Sequence, residues 1–450
     1  MRNDESKLMD KIDRARDALR AVPAVSRHGA VVAARGLAVE LAGFHPPLAL
    51  GEHAAILTSS GEVAAEVVGT TEGGATALAF APPAGMAPGG SVRALPSAGL
   101  RVSDAWLGRV MDPLGRPLDG LGPLPPGPVA RPGRPAPPGA ATRARLGPPV
   151  ALGVRALDAF CTIRRGQRLG LFAAAGLGKS TLLAMLARGC EAEVIVIGLV
   201  GERGRELREF VEDDLGPAGL ARSVVVCATS DAPALMRREA AYAAMTVAEH
   251  FRDAGRQVLL LMDSLTRFAL ACREIGLAGG EPPATRGYPP SVFAELPRLL
   301  ERAGPGPEGR PGSITGLFTV LVEGDDHDEP VADAVRGILD GHVILDRRIA
   351  EAGRYPAVDV LRSLSRTVPG CLTAEQARLM RRARRLLALH AEVAELVRLG
   401  AYRAGTDPAV DEALRLVPRI EAVLQQDRAE RTGIEDAFAA LEGALDDAAA

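Results

Sequence analysis

Residues 168–189 read RLGLF, AAAGLGKST and LLAMLARG in succession, and this stretch decides the fold around it. The first five residues predict a buried strand, the middle segment is a glycine-rich turn, and the last eight predict a helix. In a phosphate-binding loop of this order, backbone N–H groups and the positive end of the helix hold an anion. We therefore expect a nucleotide phosphate to bind at this loop.

Each side chain of the loop is expected to contact a different part of the nucleotide. Lys179 is expected to reach the β- and γ-phosphates, Ser180 to ligate Mg²⁺, and Thr181 to reach the α-phosphate. The other predicted nucleotide-binding positions of the loop are Ala174, Ala175, Gly176, Leu177 and Gly178. Ala173 stands where the general motif has glycine, so an accidental glycine-rich turn is the alternative interpretation.

Lysine usage supports the phosphate-binding interpretation. Lys7, Lys11 and Lys179 are the only lysines among 53 basic residues. A compact ammonium suits a tight loop in which the larger guanidinium of arginine would be too bulky. The single lysine beyond residue 11 therefore stands at the position where lysine itself is needed.

Two later strands are predicted to end in carboxylates near this loop. VLLLMD (258–263) ends in Asp263, which is expected beside the Mg²⁺, where it holds the ion through its water shell. A helix-capping role is the alternative for Asp263. VIVIGLV (194–200) leads into Gly201, Glu202 and Arg203. Glu202 is the candidate to orient the attacking water, whereas Arg203 either contacts the γ-phosphate or pairs with a nearby acid.

Composition excludes several classes of protein. Of the 450 residues 47% are hydrophobic and 24% charged, as in a soluble globular protein. A net charge of -3 and only 3% aromatic residues disfavour nucleic acid as a partner. The five cysteines are widely spaced and predict reduced thiols. No apolar stretch suits a membrane span or a signal peptide, so we expect a cytoplasmic protein.

The sequence texture changes along the chain and predicts four parts. Residues 1–22 carry an amphipathic pattern that predicts a partner-docking helix, with a solvated, frayed tail as the alternative. Residues 23–100 predict a small β-barrel. Residues 101–369 predict the P-loop ATPase domain, with a largely parallel sheet, helices and a Pro/Gly-rich connector over 121–149. Residues 370–450 predict a helical domain, which opens with a capping-box pattern at Thr373 and Gln376.

The order of motifs resembles the family of rotary hexameric ATPases over nearly the whole chain, and so implies an N-terminal barrel and a RecA-like central domain. The motifs that carry this resemblance are LGRVMDPLGRPLDG (107–120), the phosphate loop, GERGRELREF (201–210), VLLLMDSLTRFA (258–269), YPAVDV (355–360) and SLSR (363–366).

The resemblance assigns further roles by position. In the catalytic subunits of F-type ATP synthases, the glutamate of GER orients water and the tyrosine of YPAVD packs on adenine, which implies these roles for Glu202 and Tyr355. In the non-catalytic subunits, the arginine of the SR motif reaches the neighbouring site, which implies that Arg366 is an arginine finger. One chain that carries both catalytic parts needs no second subunit type, so a homohexamer with sites at its interfaces is expected.

Longer motifs resemble the ATPases of type III protein export. They are residues 281–304 and 319–345, with 273–290 and 399–414 more similar to the flagellar branch than to virulence injectisomes. The resemblance implies these partners: a regulatory stalk protein at the N-terminal helix, a central stalk protein, the export gate, chaperones and export substrates. It also implies a location at the inner membrane beside the flagellar export apparatus.

Three alternatives remain open from the sequence. They are the ATPase of a non-flagellar injectisome, a nucleic-acid-translocating hexamer, and a nucleotide-binding scaffold that no longer hydrolyses ATP. The last arises because export ATPases usually read AGSGVGKS, whereas this chain has Ala174 and Ala175 in place of Gly and Ser. If position 174 requires a left-handed backbone, alanine there costs about 1 kcal/mol.

Overall fold

A computed structural model of the chain describes residues 26–82, 84–96, 99–322 and 329–446. The chain divides into two compact units, one that ends before Gly99 and also contains Ile275–Glu281, and one that contains the rest. The predicted docking helix over residues 1–22 lies outside the described residues. In the part of the chain that is described, no helix is long and apolar enough to cross a bilayer.

The first unit contains a closed, antiparallel six-stranded barrel, which confirms the predicted N-terminal architecture. Its strands are β1 (His28–Arg35), β2 (Ala38–Ala42), β3 (His53–Thr58), β4 (Gly61–Thr71), β5 (Gly74–Ala79) and β6 (Ser91–Leu95), in the order β1-β2-β5-β4-β3-β6. Alternate apolar residues such as Val39, Leu41 and Ile56 fill the interior because side chains alternate between the faces of a strand.

The second unit is built on a nine-stranded sheet. The strands after the barrel are β7 (Arg109–Met111), β8 (Pro149–Val150), β9 (Ile163–Arg164), β10 (Arg168–Ala173), β11 (Val194–Glu202), β12 (Ser223–Thr229), β13 (Gln257–Asp263), β14 (Gly304–Pro305), β15 (Ser313–Leu321), β16 (Gly341–Ile344) and β17 (Leu364–Ser365). The sheet order is β17-β16-β10-β15-β13-β11-β12-β7, and β14 pairs with β15. Strands β14 and β17 are antiparallel to their neighbours and the remaining pairs are parallel, as predicted.

Helices cover this sheet. They are α1 (Arg155–Phe160), α2 (Lys179–Gly189), α3 (Gly204–Glu209), α4 (Gly216–Leu220), α5 (Ala234–Asp253), α6 (Leu265–Ala278), α7 (Pro290–Leu300), α8 (Pro330–Ile338) and α9 (Arg347–Glu351). Strand β11 is buried along its whole length, as expected for a parallel strand covered on both faces. Its side chains alternate between the two hydrophobic clusters of this unit, with Ile195 in one and Val196 in the other.

The connector over residues 121–149 contains no helix, and no strand before β8 begins at Pro149. Two ion pairs attach it to α5, one between Arg131 and Asp253 and one between Arg134 and Glu239, each 2.8 Å long. These two ion pairs hold the connector against α5. The connector itself has no regular secondary structure before β8.

The chain ends in three helices, α10 (Ala374–Arg398), α11 (Pro408–Leu424) and α12 (Ile434–Leu445). Thr373 and Gln376 form the predicted capping box at the start of α10. Asp407 caps α11, whose first residue is Pro408. The sequence therefore predicted the fold class correctly, with a barrel, a largely parallel sheet domain and C-terminal helices.

Candidate nucleotide-binding and catalytic site

The phosphate loop connects β10 to α2, as predicted. Gly176 and Gly178 adopt left-handed φ values of 82° and 79°, which other residues rarely adopt. Ala174 does not, because Arg286 is the only described non-glycine residue with a positive φ. Alanine at position 174 is therefore unstrained, and the conditional penalty does not apply. This removes the reason to favour a scaffold that no longer hydrolyses ATP.

The sheet register brings the predicted carboxylates to one edge. Residue Asp263 at the end of β13 lies beside Leu199 of β11 on one side and follows the Met262–Phe318 pair with β15 on the other. Thr319 of β15 donates a hydrogen bond of 2.7 Å from Oγ1 to Oδ1 of Asp263. This is the carboxyl edge of the parallel strands, where ligands bind in folds of this class.

Lys179 lies between two acids at this edge. Its Nζ atom bonds Oδ1 of Asp263 and lies 3.6 Å from Oε1 of Glu202. Asp263 is 3% exposed, so this ion pair is largely removed from water. The structure thus brings together three residues that the sequence predicted from separate motifs.

Glu202 is held in a strongly polar but buried position. Burial raises the pKa of its carboxyl above the usual range, and the nearby Asp263 carboxylate raises it further, whereas Lys179 and Arg267 lower it. Its Oε1 atom is buried and accepts no hydrogen bond of good geometry from any described group. A carboxylate offers about four acceptor positions on its two oxygens, so it can bind a water molecule as well as nearby cations.

Arg267 is a site residue that the sequence reasoning missed. Its Nε atom lies 3.2 Å from Oε1 of Glu202. The signal was present, because Arg267 stands in the first turn of α6, directly after the strand that ends in Asp263. Arg203, by contrast, is exposed and pairs with Glu206 at 3.5 Å. Of the two interpretations left open for Arg203, the structure contains the ion pair with a nearby acid.

Tyr355 borders a cavity beside the phosphate loop. A Cβ atom placed on Gly178 would lie 3.5 Å from the Tyr355 ring, so the ring covers this end of the loop. The cavity has a volume of about 420 Å³. It is lined by Gly178, Thr181, Leu182, Met185, Gly353, Tyr355, Pro356 and residues 425–428.

The wall at residues 425–428 was also missed, and no local sequence signal marks it. The backbone N–H of Gln426 donates to the carbonyl oxygen of Tyr355 at 2.9 Å. Arg188, in the last turn of α2, donates to the carbonyl oxygen of Arg428 at 2.5 Å. The segment after α11 is thus attached to both the tyrosine and the helix of the phosphate loop.

Arg366 lies away from the phosphate loop of its own chain. Its backbone N–H donates to the carbonyl oxygen of Asp340 at 2.9 Å, at the start of β16. Strand β16 runs parallel to β10, so Arg366 lies beside the amino end of β10. Five residues of strand, or about 17 Å, separate that end from the loop. The Arg366 side chain is exposed and has no ion pair or hydrogen bond with the described residues.

The donors at this edge suit a magnesium ion shared with phosphates. Mg²⁺ usually takes one or two protein ligands and fills its octahedron with water and phosphate oxygens. The exposed Ser180 hydroxyl and the Asp263 carboxylate supply such a pair. The described residues contain no group of three or more acidic, His or Cys side chains that would form an all-protein metal cage.

Two family models match the chain. The ATP synthase alpha/beta family, nucleotide-binding domain, matches residues 153–365, and the T3SS EscN ATPase C-terminal domain matches residues 372–443. The flagellum-specific ATP synthase of Caulobacter vibrioides is 53% identical over 92% of this chain and 95% of that protein. The chain belongs to this family of export ATPases. It is therefore an ATPase, and the predicted family resemblance is confirmed.

Further relatives and solved structures are similar to nearly the whole chain. The type 3 secretion system ATPase of Xanthomonas euvesicatoria is 48% identical over 94% of this chain and 95% of that one. Among solved structures, the assembled ATPase EscN of the enteropathogenic E. coli type III secretion system matches with a TM-score of 0.85 and 39% identity, over 93% of this chain and 100% of that one. EscN in complex with its central stalk EscO matches with a TM-score of 0.84, 40% identity and the same coverage.

Proposed function

We propose that this protein hydrolyses Mg-ATP to energise flagellar-type protein export, and that it acts as a homohexamer with its sites at subunit interfaces. The observation that carries the proposal is the cluster of Lys179, Glu202 and Asp263 at the end of a phosphate-binding loop. It combines a cation for phosphates, a carboxylate for the metal and a carboxylate for water. These are the parts that phosphoryl transfer to water requires.

In this proposal the loop binds the triphosphate before any chemistry occurs. Backbone N–H groups around Gly176 and Gly178 hold phosphate oxygens, and Lys179 adds its positive charge. Thr181 lies at the α-phosphate and Tyr355 stacks on the base. The cavity beside Tyr355 supports this, since it opens next to the first turn of α2.

Glu202 would act on the attacking water. Arg267 and Lys179 hold the carboxylate in place through ion pairs to its Oε1 atom, which accepts no hydrogen bond of good geometry from a described group. Ser180 and Asp263 would hold Mg²⁺, which neutralises phosphate charge as the bond to the γ-phosphate breaks. We propose that Arg203 supports this edge of the site through its exposed ion pair with Glu206.

Arg366 would complete the site of the adjacent subunit. Its place at the far end of β10, with an exposed side chain, supports action on a group outside its own chain. An arginine finger stabilises charge that develops in the transition state. Similarity to the assembled ATPase EscN supports an assembly of like subunits.

The proposed partners follow from the relatives. A central stalk protein is proposed because EscN is known in complex with its central stalk EscO. The flagellar assignment is proposed from relatives named flagellum-specific ATP synthase, at 46% identity in Salmonella typhimurium and 45% in Bacillus subtilis. We further propose docking of a regulatory stalk protein on residues 1–22, contacts with the export gate, chaperones and substrates, and a cytoplasmic location at the inner membrane.

Two covalently linked dimers test the shared site. The first joins a Lys179→Ala subunit to an Arg366→Ala subunit, so that a ring of these dimers alternates the two defects. If Arg366 acts on its neighbour, every second site in this ring has an intact loop and an intact finger. We expect ATP hydrolysis to reappear, although each variant alone is nearly inactive.

The second linked dimer joins a wild-type subunit to a Lys179→Ala/Arg366→Ala double variant and is expected to be inactive, because each intact loop faces a missing finger. Activity in this ring alone would show that Arg366 serves its own subunit. Inactivity of both rings, with assembly demonstrated by mass photometry, would contradict independent interfacial sites.

A further inference from the structure

Gln167 is a buried residue next to the Arg366 segment, and none of the predicted roles has been assigned to it. Gln167 is fully buried, and it is the residue before β10 begins at Arg168. A buried glutamine must find partners for two donors and two acceptor positions. The hydrogen-bond partners of Gln167 therefore show which segments of the chain its side chain holds together.

The side chain of Gln167 makes all four hydrogen bonds. Its Nε2 atom donates to Oγ of Ser365 at 2.9 Å and to the carbonyl oxygen of Asp340 at 3.2 Å. Its Oε1 atom accepts from Oγ1 of Thr367 at 2.9 Å and from the backbone N–H of Arg164 at 3.0 Å. The amide is thus bonded to the residues on both sides of Arg366.

The same network fixes the backbone of Arg366. The hydroxyls of Ser365 and Thr367 lie 3.0 Å apart within hydrogen-bond distance of each other. The carbonyl oxygen of Asp340, which Gln167 contacts, also accepts the N–H of Arg366. A fully satisfied buried network of this kind specifies one geometry because every rearrangement leaves a buried polar group unpaired.

We propose that Gln167 is a positioning residue for Arg366, and that it sets the point from which the guanidinium reaches the neighbouring subunit. This rests on the proposed action of Arg366 in trans. The chain fixes the residues on each side of Arg366 while the Arg366 side chain itself remains exposed. Gln167 directly precedes β10, and β10 leads into the phosphate loop. The same strand therefore supports the loop of its own subunit's site and the arginine finger that acts on the neighbouring site.

Two variants of different severity test the role. Gln167→Met keeps the volume and removes all four hydrogen bonds of the amide. Thr367→Val removes one of these four, together with the contacts of the Thr367 hydroxyl to Oγ of Ser365 and to the carbonyl oxygen of Thr162. Misplacement of a catalytic group by about 1 Å lowers rates roughly 100-fold. We therefore expect Gln167→Met to lower kcat about tenfold to a hundredfold and Thr367→Val about tenfold, with the Kd for ATP changed less than about twofold. Thr367→Ser keeps the hydroxyl and should retain the wild-type kcat.

Gln257→Met provides a matched control. Gln257 also begins a strand, β13, and its amide bonds Oγ of Ser313 at 2.5 Å and the carbonyl oxygen of Pro311 at 2.6 Å. It lies outside the proposed machinery, so its loss should leave kcat unchanged. If kcat falls in both Gln257→Met and Gln167→Met, the loss is a general effect of removing a strand-end amide. That result would overturn the proposal.

The deciding measurement is ATP hydrolysis by linked dimers. A dimer of Gln167→Met and Lys179→Ala should regain activity, because the second subunit supplies a well-placed finger. A dimer of Gln167→Met and Arg366→Ala should not exceed the low activity of Gln167→Met alone, because neither subunit supplies a well-placed finger. If Gln167→Met does not assemble, Thr367→Val takes its place in both dimers.

The outcomes separate the two proposals. If the Arg366→Ala and Lys179→Ala dimer is active but the Gln167→Met and Lys179→Ala dimer is not, Gln167 does not position the finger, although the finger acts in trans. If neither is active, independent action of Arg366 at each interface fails, and the positioning role that rests on it fails too. Gln167→Met could instead lose as much ATP affinity as Lys179→Ala does. That result would mean that Gln167 acts on the phosphate loop of its own subunit and would overturn the positioning role.

Discussion

Nε of Arg267 lies 3.2 Å from Oε1 of Glu202, the same oxygen that lies 3.6 Å from Nζ of Lys179. The two cations oppose the effects of burial and of Asp263, which raise the pKa of Glu202. The ionised carboxylate only accepts hydrogen bonds, whereas the protonated acid donates one and is a weaker acceptor. The charge on Arg267 therefore favours the ionised form of Glu202 that its proposed role requires.

Replacing Arg267 with methionine should shift the pH dependence of hydrolysis. The guanidinium lowers the pKa of Glu202, so its removal raises that pKa further. The active carboxylate is lost as pH falls through the pKa, and a higher pKa means that kcat begins to fall at a higher pH. Profiles of kcat against pH for wild type and Arg267→Met at saturating ATP will measure the shift.

Arg237→Met is the control for this prediction. Arg237 also lies over Gly201, but it bonds Glu274 at 2.6 Å and does not contact Glu202. Its loss should leave the acid limb where it is in wild type. An unmoved acid limb in Arg267→Met would mean that Glu202 does not limit the reaction at low pH.

Lys179→Ala and Glu202→Gln should fail in different ways. The first removes a cation that contacts phosphate, so we expect roughly tenfold or greater loss of ATP affinity together with loss of turnover. The second leaves phosphate contacts intact and removes general-base assistance, so kcat should fall about 10²–10⁴-fold with little change in affinity. Binding of a fluorescent ATP analogue and release of phosphate measure the two quantities. Equal loss of binding in both variants would argue against separate roles.

Local sequence patterns were sufficient for the parts of this site that lie next to each other in the chain. Strand β10, its loop and α2 are consecutive, and Asp263 and Glu202 could be found because parallel strands end at a common edge. The capping box of α10 was equally local. For these residues the rules of strand, turn and cap determine position without knowledge of packing.

The remaining site features depend on contacts between distant segments. Residues 425–428 reach the cavity because the C-terminal helices pack against α1. Gln167 finds Ser365 across 198 residues of sequence. Periodicity identifies which face of an element is buried, but it does not identify the distant polar group that a buried amide will meet.

Alanine at position 174 should not limit turnover. Since its φ is not left-handed, Ala174→Gly relieves no strain and should leave kcat unchanged. It should lower the free energy of unfolding by about 0.4–1 kcal/mol, because glycine gives the unfolded chain more freedom. Gly176→Ala is the contrasting variant, since φ is 82° there and alanine costs roughly 1–2 kcal/mol. A faster Ala174→Gly enzyme would show that Ala174 does slow the reaction.

Removal of residues 1–20 should separate catalysis from docking. These residues lie outside the described part of the chain and precede the barrel that begins at β1, so the truncated protein should hydrolyse ATP at close to the full-length rate. It should lose binding to the regulatory stalk protein, measured by pull-down with purified partner. Equal capture of that partner by both forms would contradict the predicted docking helix.

Arg354 holds the loop that carries Tyr355. It is buried, its guanidinium donates to the carbonyl oxygens of Pro356 at 3.2 Å and Val358 at 2.9 Å, and its Nε lies 2.6 Å from Oε2 of Glu421 on α11. The loop of Tyr355, which we propose contacts the base, is therefore attached to α11 through the Arg354 side chain. Loss of this attachment should affect nucleotide binding more than chemistry.

Arg354→Met should raise the KM for ATP about tenfold with a smaller change in kcat, because contacts to the base are made equally in the ground state and the transition state. Tyr355→Ala should have a similar effect. The double variant should then be little worse than Tyr355→Ala alone, since two residues that act through one contact are not additive. Arg362→Met, which removes an exposed pair with Asp346 at 3.4 Å, should leave KM unchanged. Additive effects of Arg354→Met and Tyr355→Ala on KM would mean that the arginine stabilises the domain without positioning the tyrosine.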